Sequence, residues 1–192
     1  MKKPRIISFG EVLWDLFPDG GRFGGAPANF ACHAALQGAE VTICTAVGDD
    51  SYGDDAIRIL SEYDIDVSLV QTVATAPTGT ASVNLDDEGK PSFLFQDNSA
   101  WDQLQWTDDI ATKILSADAI CFGTLGQRSE MARQTTQRAL EVAGRAKIPR
   151  VVDINLRPPF FDAKIIRESI QLASILKMSC LLYTSPSPRD LY

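Results

Sequence analysis

The chain has 192 residues, 45% hydrophobic and 22% charged, which is ordinary globular usage and argues against wholesale disorder. Lys and Arg number 18 against 25 Asp and Glu, a net charge of −7. That balance disfavours a nucleic-acid binder, whose affinity rests on cations displacing counterions from phosphates. No apolar run approaches the roughly 18 residues that span a bilayer, and the start carries charge without a continuing apolar stretch, so no membrane span or secretory signal is expected and the expected setting is the cytoplasm.

In chain order, Arg5–Phe9 reads RIISF, a short apolar strand ending at Gly10. EVLWDLFP follows with alternating apolar and polar residues, the pattern of a second strand or ribbon, and then a turn-rich GRFGGAP. PANFACHAALQ favours helix, with Pro27 suited to the first turn and Gly38 to the stop. VTICTAV is β-branched and apolar, the mark of a strand buried on both faces. A helical pattern runs over 54–63. Short alternating strands are expected at 67–72, 80–85 and 92–96, with a hairpin turn at 86–90, as an antiparallel ribbon inserted into a β/α chain. The alternation resumes with helices at 108–115, 129–143 and 162–172 and strands at 119–122 and 151–154, and another strand opens at 174–177. This order predicts a parallel sheet with helices on both faces.

The cysteines, Cys32, Cys44, Cys121 and Cys180, show no C-x-x-C spacing and read as buried, reduced thiols. His33 is the single histidine, so zinc clusters and histidine triads are not expected, and a helix residue is the simpler role. The residues 180–192 read CLLYTSPSPRDLY, which continues neither helix nor central strand.

The sharpest local feature is Gly24-Gly25-Ala26-Pro27-Ala28-Asn29. Glycines let backbone approach a ligand, and the helix that follows aims free N–H groups at it. Asn29 adds a donor and an acceptor suited to hydroxyls, although a plain glycine turn with Asn29 as a cap explains the same string. Asp15 follows the first strand, where open α/β sheets bind ligands; a solvated turn aspartate is the alternative. Gly48-Asp49-Asp50 and Gly53 fit a strand-to-helix turn with Asp50 or Ser51 capping. Asp153, Asn155 and Arg157 alternate at the end of a strand, where Arg157 suits an anionic group or a structural ion pair. Trp101 and Trp106 read as anchors for the inserted segment more readily than as stacking platforms. Neither a Walker phosphate loop nor G-x-G-x-x-G is present.

Together these residues resemble the PfkB (ribokinase-like) carbohydrate kinases, fructokinases above all. Gly24, Gly25, Pro27, Asn29, Ala31, Gly38 and Gly48 stand in the register of the first family signature, and GEVLWD, VGDDSYG, PTGTASVNLDDEG and DINLRPPFF agree around it. The resemblance implies a three-layer α/β/α, mostly parallel sheet with a small inserted β-sheet lid from about 11–23 and 67–98. It implies transfer of the γ-phosphate of ATP, with Mg²⁺, to a sugar hydroxyl, and a lid able to carry a homodimer contact. By position, Asp15 and Asn29 would bind sugar hydroxyls, Gly25 would give close backbone approach, Asn155 and Arg157 would line the pocket near sugar and phosphate, and Phe95 would close over the sugar. Complete members continue into an N-x-x-E-type segment and a G-A-G-D-like motif that supplies the anion hole and general base; neither string occurs in this sequence. The expectation is therefore a truncated kinase domain over 1–179 that lacks a catalytic base and is inactive alone, followed by a non-native 180–192 resembling translated adapter DNA. Kinases for 2-keto-3-deoxygluconate, a ribose-like sugar or a nucleoside share the pattern. A non-catalytic sugar-binding or regulatory protein on the same fold, or an interaction fragment pairing through its lid, are readings of another class.

Overall fold

The computed structural model describes residues 2–85, 91–179 and 182. The elements are β1 (Arg5–Phe9), β2 (Leu13–Phe17), β3 (Gly20–Gly24), α1 (Ala26–Leu36), β4 (Glu40–Gly48), α2 (Ser51–Glu62), β5 (Asp66–Val73), β6 (Gly79–Leu85), β7 (Pro91–Phe95), α3 (Asp108–Ser116), β8 (Ala119–Gly123), α4 (Glu130–Arg145), β9 (Arg150–Ile154), α5 (Ala163–Leu172) and β10 (Ile175–Met178). Six strands form a parallel sheet in the order β10-β9-β8-β1-β4-β5, and four form a small second sheet, β3-β2-β6-β7. The hairpin turn expected at 86–90 and the segment 180–192, with Cys180, lie outside the described residues, Leu182 excepted.

Helices on both faces follow from side-chain alternation along the strands. On β4, Val41, Ile43 and Val47 point into a core with Ala28 and Ala31 of α1 and Ala56 and Leu60 of α2. Cys44 and Ala46 point the other way, into a core with Ile110 and Ile114 of α3 and Ala139 and Leu140 of α4. Burial leaves the thiols inert: it drives Cys44 far above the ordinary range and pushes Cys121 up to about 12. His33 is exposed on α1.

The chain starts in the middle of the sheet. From β1 it builds outward through β4 to β5, then returns to the other side of β1 and builds outward through β8, β9 and β10. The order therefore reverses between β1 and β8, and a crevice opens at their C-terminal ends, where α/β sheets hold ligands.

One expected boundary is corrected. The ribbon anticipated over 67–98 begins at β6, because Asp66–Val73 pairs with β4 in the large sheet, from Thr42↔Asp66 to Gly48↔Val73. That strand alternates because it is a sheet edge: Leu69 is buried while Ser68 and Thr72 are exposed. The lid is also not wholly antiparallel, since β2 pairs with β6 in parallel and only β2–β3 and β6–β7 run antiparallel.

Candidate functional site

The switch-point crevice holds a cavity of about 150 Å³ lined by Glu11, Leu13, Asp15, Gly25, Ala26, Asn29, Phe93, Phe95, Leu125, Asn155 and Arg157. All six residues singled out in the sequence, Asp15, Gly25, Asn29, Phe95, Asn155 and Arg157, meet in it.

Alternation on β2 places the first group. Leu13 and Asp15 face the cavity, while Trp14 turns away, stacks on Tyr52 at 5.1 Å and donates from Nε1 to the Tyr52 carbonyl at 3.0 Å. Glycine on the next strand leaves this carboxylate its place: a Cβ on Gly24 would stand 2.8 Å from Asp15 Oδ2 and push it aside. Gly25 is the cap of α1 with φ 106, and its Cβ would stand 2.5 Å from the Glu11 carbonyl oxygen. The Gly25 cap offers no side chain to this helix end; the Ala26 N–H acts on the Glu11 carboxyl, and the positive end of the helix dipole is directed at the cavity. Asn29 sits one turn in, its N–H bonded to the Gly25 carbonyl at 2.9 Å.

The opposite wall comes from the loops after β8 and β9. Thr124 Oγ1 donates to the Asn155 carbonyl at 3.0 Å and lies 3.1 Å from the Asn155 N–H, which locks the two loops together. Arg157 lies 5.7 Å from the Phe93 ring centroid and makes no ion pair among the described residues. Asp153 instead pairs with Lys177 at 2.9 Å. The roof is β7, where Phe93 and Phe95 point inward and Leu94, 69% exposed, points out. Phe160 meets Phe95 edge-on at 6.2 Å.

The roof is pinned to the body. Asp50 caps α2 through the Gly53 N–H at 2.8 Å and accepts from the Thr78 N–H at 2.8 Å and hydroxyl at 2.7 Å. Burial tends to raise the Asp50 pKa, but these bonds outweigh it and hold the carboxyl below its usual range. Beyond the lid, Arg128 grips Asp102 with two nitrogens at 2.8 and 2.6 Å and donates to the Gln96 carbonyl at 2.6 Å. Its guanidinium lies 4.5 Å from the Trp101 ring and 4.7 Å from that of Phe160. Trp101 is thus a core anchor, as its sequence context suggested.

Sequence reasoning missed Glu11, Phe93 and Leu125. Glu11 is 1% exposed, its Oε2 has no hydrogen-bond partner, and burial lifts its pKa to about 7 against the pull of nearby N–H groups, including those of Ala26 and Gly126, and of Arg157. The available signal was a carboxylate between Gly10 and Val12 in an otherwise apolar run, since acidic side chains are almost never fully buried without a reason. Asp15 is also raised, by burial, with Arg157 opposing.

A larger cleft, about 390 Å³, runs along α1 past β8, β9 and β10. Its lining is mainly apolar, and its one acid and one lysine, Asp153 and Lys177, neutralise each other. The smaller cavity has the convergent unpaired polar groups that mark a ligand site. Among the described residues no three His, Cys, Asp or Glu side chains stand close enough to hold a metal ion, so they do not by themselves build the Mg²⁺ site the resemblance implies. No described helix is long and apolar enough to cross a membrane.

A parallel sheet with a small β lid over a polar switch-point cavity is the architecture of a sugar kinase, and comparison with known proteins agrees. Residues 20–180 match the family described as pfkB family carbohydrate kinase, and the chain belongs to that family. It is 30% identical to probable fructokinase-2 of Arabidopsis thaliana over 92% of its own length and 59% of the relative's. The fructokinase of Klebsiella pneumoniae is 30% identical over 91% of this chain and 60% of that one. Among solved structures, fructokinase with bound ATP from Xylella fastidiosa superposes with a TM-score of 0.83 at 25% identity, over 95% of this chain and 60% of that one. An uncharacterized sugar kinase from Pyrococcus horikoshii gives 0.80 at 27% identity, over 93% and 64%. The chain therefore spans about three fifths of the length of these relatives.

Proposed function

We propose that this chain supplies the sugar-binding part of an ATP-dependent kinase that phosphorylates a hydroxyl of a ketohexose, fructose by preference. One observation carries the reading: Asp15, Asn29, Asn155 and Arg157 converge, none of the four ion-paired among the described residues, on a cavity of about 150 Å³, under two phenylalanines. Asp15 accepts from paired sugar hydroxyls, and Asn29 and Asn155 donate and accept beside it. The phenylalanine roof excludes water, which strengthens each of these bonds. Arg157 compensates charge gathering on the phosphoryl oxygens during in-line transfer. ATP, supplied with Mg²⁺, provides the phosphoryl group, and the setting is the cytoplasm, where free sugar and ATP meet. The names of the relatives support the fructose assignment.

Binding and turnover separate in this proposal. Calorimetry on the chain detects fructose; Asp15→Ala weakens it by about tenfold or more, the value of one or two charge-assisted bonds, and Asn29→Ala by roughly two- to tenfold, the value of a neutral one. Unchanged affinity in both variants would remove the assignment. The 192-residue polypeptide gives no ATP-dependent phosphorylation. A general base is worth ~10²–10⁴-fold and each anion-hole donor about 10²–10³-fold, and the sequence contains no G-A-G-D-like string to provide them. Release of ADP dependent on fructose would contradict this. The lid carries a second copy of the chain in the whole protein, supported by Leu94, 69% exposed on the outward face of its edge strand. Because Arg157 has no carboxylate partner among the described residues, a kinase for a sugar acid is the second reading.

A further inference from the structure

The loop after β9 carries two cavity residues, Asn155 and Arg157, and then turns back on itself: the Phe160 N–H donates to the Arg157 carbonyl at 2.8 Å, with Pro158 and Pro159 between them. Phe160 does not line the cavity. Its side chain packs behind the wall, against the apolar cluster of Leu13, Ala81, Phe95, Trp101 and Leu125. Leu13, Phe95 and Leu125 of that cluster do line the cavity, and each comes from a different element: β2, the β7 roof and the turn after β8. Phe160 thus joins the Arg157 turn to the rest of the enclosure. Its ring meets that of Phe95 edge-on at 6.2 Å, and its centroid lies 4.7 Å from the guanidinium carbon of Arg128. Arg128 is itself fixed: its side chain is 5% exposed, ion-paired to Asp102 and bonded to the Gln96 carbonyl just past β7.

Resting on the sugar-binding reading, we infer that Phe160 is a positioning residue for the sugar: from behind the wall it fixes the turn bearing Arg157 against the Phe95 roof and the Arg128 guanidinium, so that loop and roof meet the ligand as one preformed site. The physical reason is entropic. A surface turn has few backbone bonds to hold it, and a wall already in place does not have to be ordered when the ligand binds. A ring face on a desolvated guanidinium and an edge-on aromatic pair each favour one placement of the ring. The contact of Arg157 with the Phe93 ring is long, 5.7 Å, and near the limit of a cation–aromatic interaction, so the Phe160 ring is the firmer tie between this turn and the lid. Without that ring the turn keeps its bond to the Arg157 carbonyl but loses its hold on Phe95 and Arg128.

The test is fructose binding to the full chain by calorimetry, with Phe160→Ala, Phe160→Leu and Phe160→Tyr, each checked for folding by circular dichroism. Phe160→Ala should weaken fructose by about tenfold, the value of one desolvated ring–cation contact. Phe160→Tyr, which keeps the ring, should stay within about twofold of the unmodified chain. Where Phe160→Ala does not fold, Phe160→Leu carries the test, with a loss of about threefold. Coupling separates positioning from support of the fold. In a Phe95→Leu background the same truncation of Phe160 should cost less affinity than it does alone, because the ring's edge-on partner has gone. Full affinity in the truncated variant, an equal loss in Phe160→Tyr, or additive losses with Phe95→Leu overturns the inference while leaving the sugar site intact. No fructose binding by the unmodified chain removes the sugar site and the inference with it.

Discussion

Glu11 is the residue whose energetics are most exposed to experiment. Its pKa rises from 4.5 to about 7 on folding, so between those values the folded chain holds a proton that the unfolded chain has lost. The favourable term is complete below pH 4.5 and is lost as pH rises through about 7. At 1.36 kcal/mol per unit the loss is about 3 kcal/mol at most, a measurable part of a ~5–15 kcal/mol total. Urea midpoints at pH 5 and pH 8 should differ in that sense, with the acid side more stable, and Glu11→Gln should flatten the difference. Asp15, also raised by burial, adds a smaller term of the same sign. An identical slope in the variant would assign the pH dependence elsewhere.

At the scale of elements, the lid is a small sheet entered and left through buried polar pins. The Arg128–Asp102 pair is the tightest of these, with side chains 5% and 10% exposed. Removing one member of such a pair leaves a buried unpaired charge, so Arg128→Met should cost about 3 kcal/mol or more, and pairing it with Asp102→Asn should recover part of that loss. Additive losses in the double variant would mean the two residues do not act as a pair. At the other root, a Cβ on Gly79 would fall 1.7 Å from Trp101 Cζ3. Gly79→Ala should displace the indole, cost about 3 kcal/mol, and change the near-ultraviolet circular dichroism. Because β6 carries this glycine into the lid, fructose affinity should fall as well.

At the scale of the molecule, the large sheet is well covered around β1 and β4 and thinly covered at β10. All four residues of that strand are exposed, with Ile175 at 52%, Leu176 at 42% and Met178 at 39%. An apolar strand on the edge of the described sheet is a template for pairing with another chain. The chain should self-associate in light scattering, and Ile175→Lys with Leu176→Lys should reduce that association. A monodisperse wild-type sample would contradict the first statement.

Residue pattern alone made the parallel α/β class, most of the elements and six residues of the cavity wall legible in the sequence, but Gly20–Gly24 read as part of a turn and is strand β3. Periodicity and glycine placement are local, and the glycine bend before Asn29 needs no partner to be recognised. It could not determine that 66–73 belongs to the large sheet, because an edge strand and a lid strand bury one face alike and share one alternating pattern. Nor could it make Glu11 a member of the site, since a carboxyl's burial and pKa are set by what packs around it. Only the tertiary structure brings Ala26, Gly126 and Arg157, from three distant parts of the chain, to that one side chain.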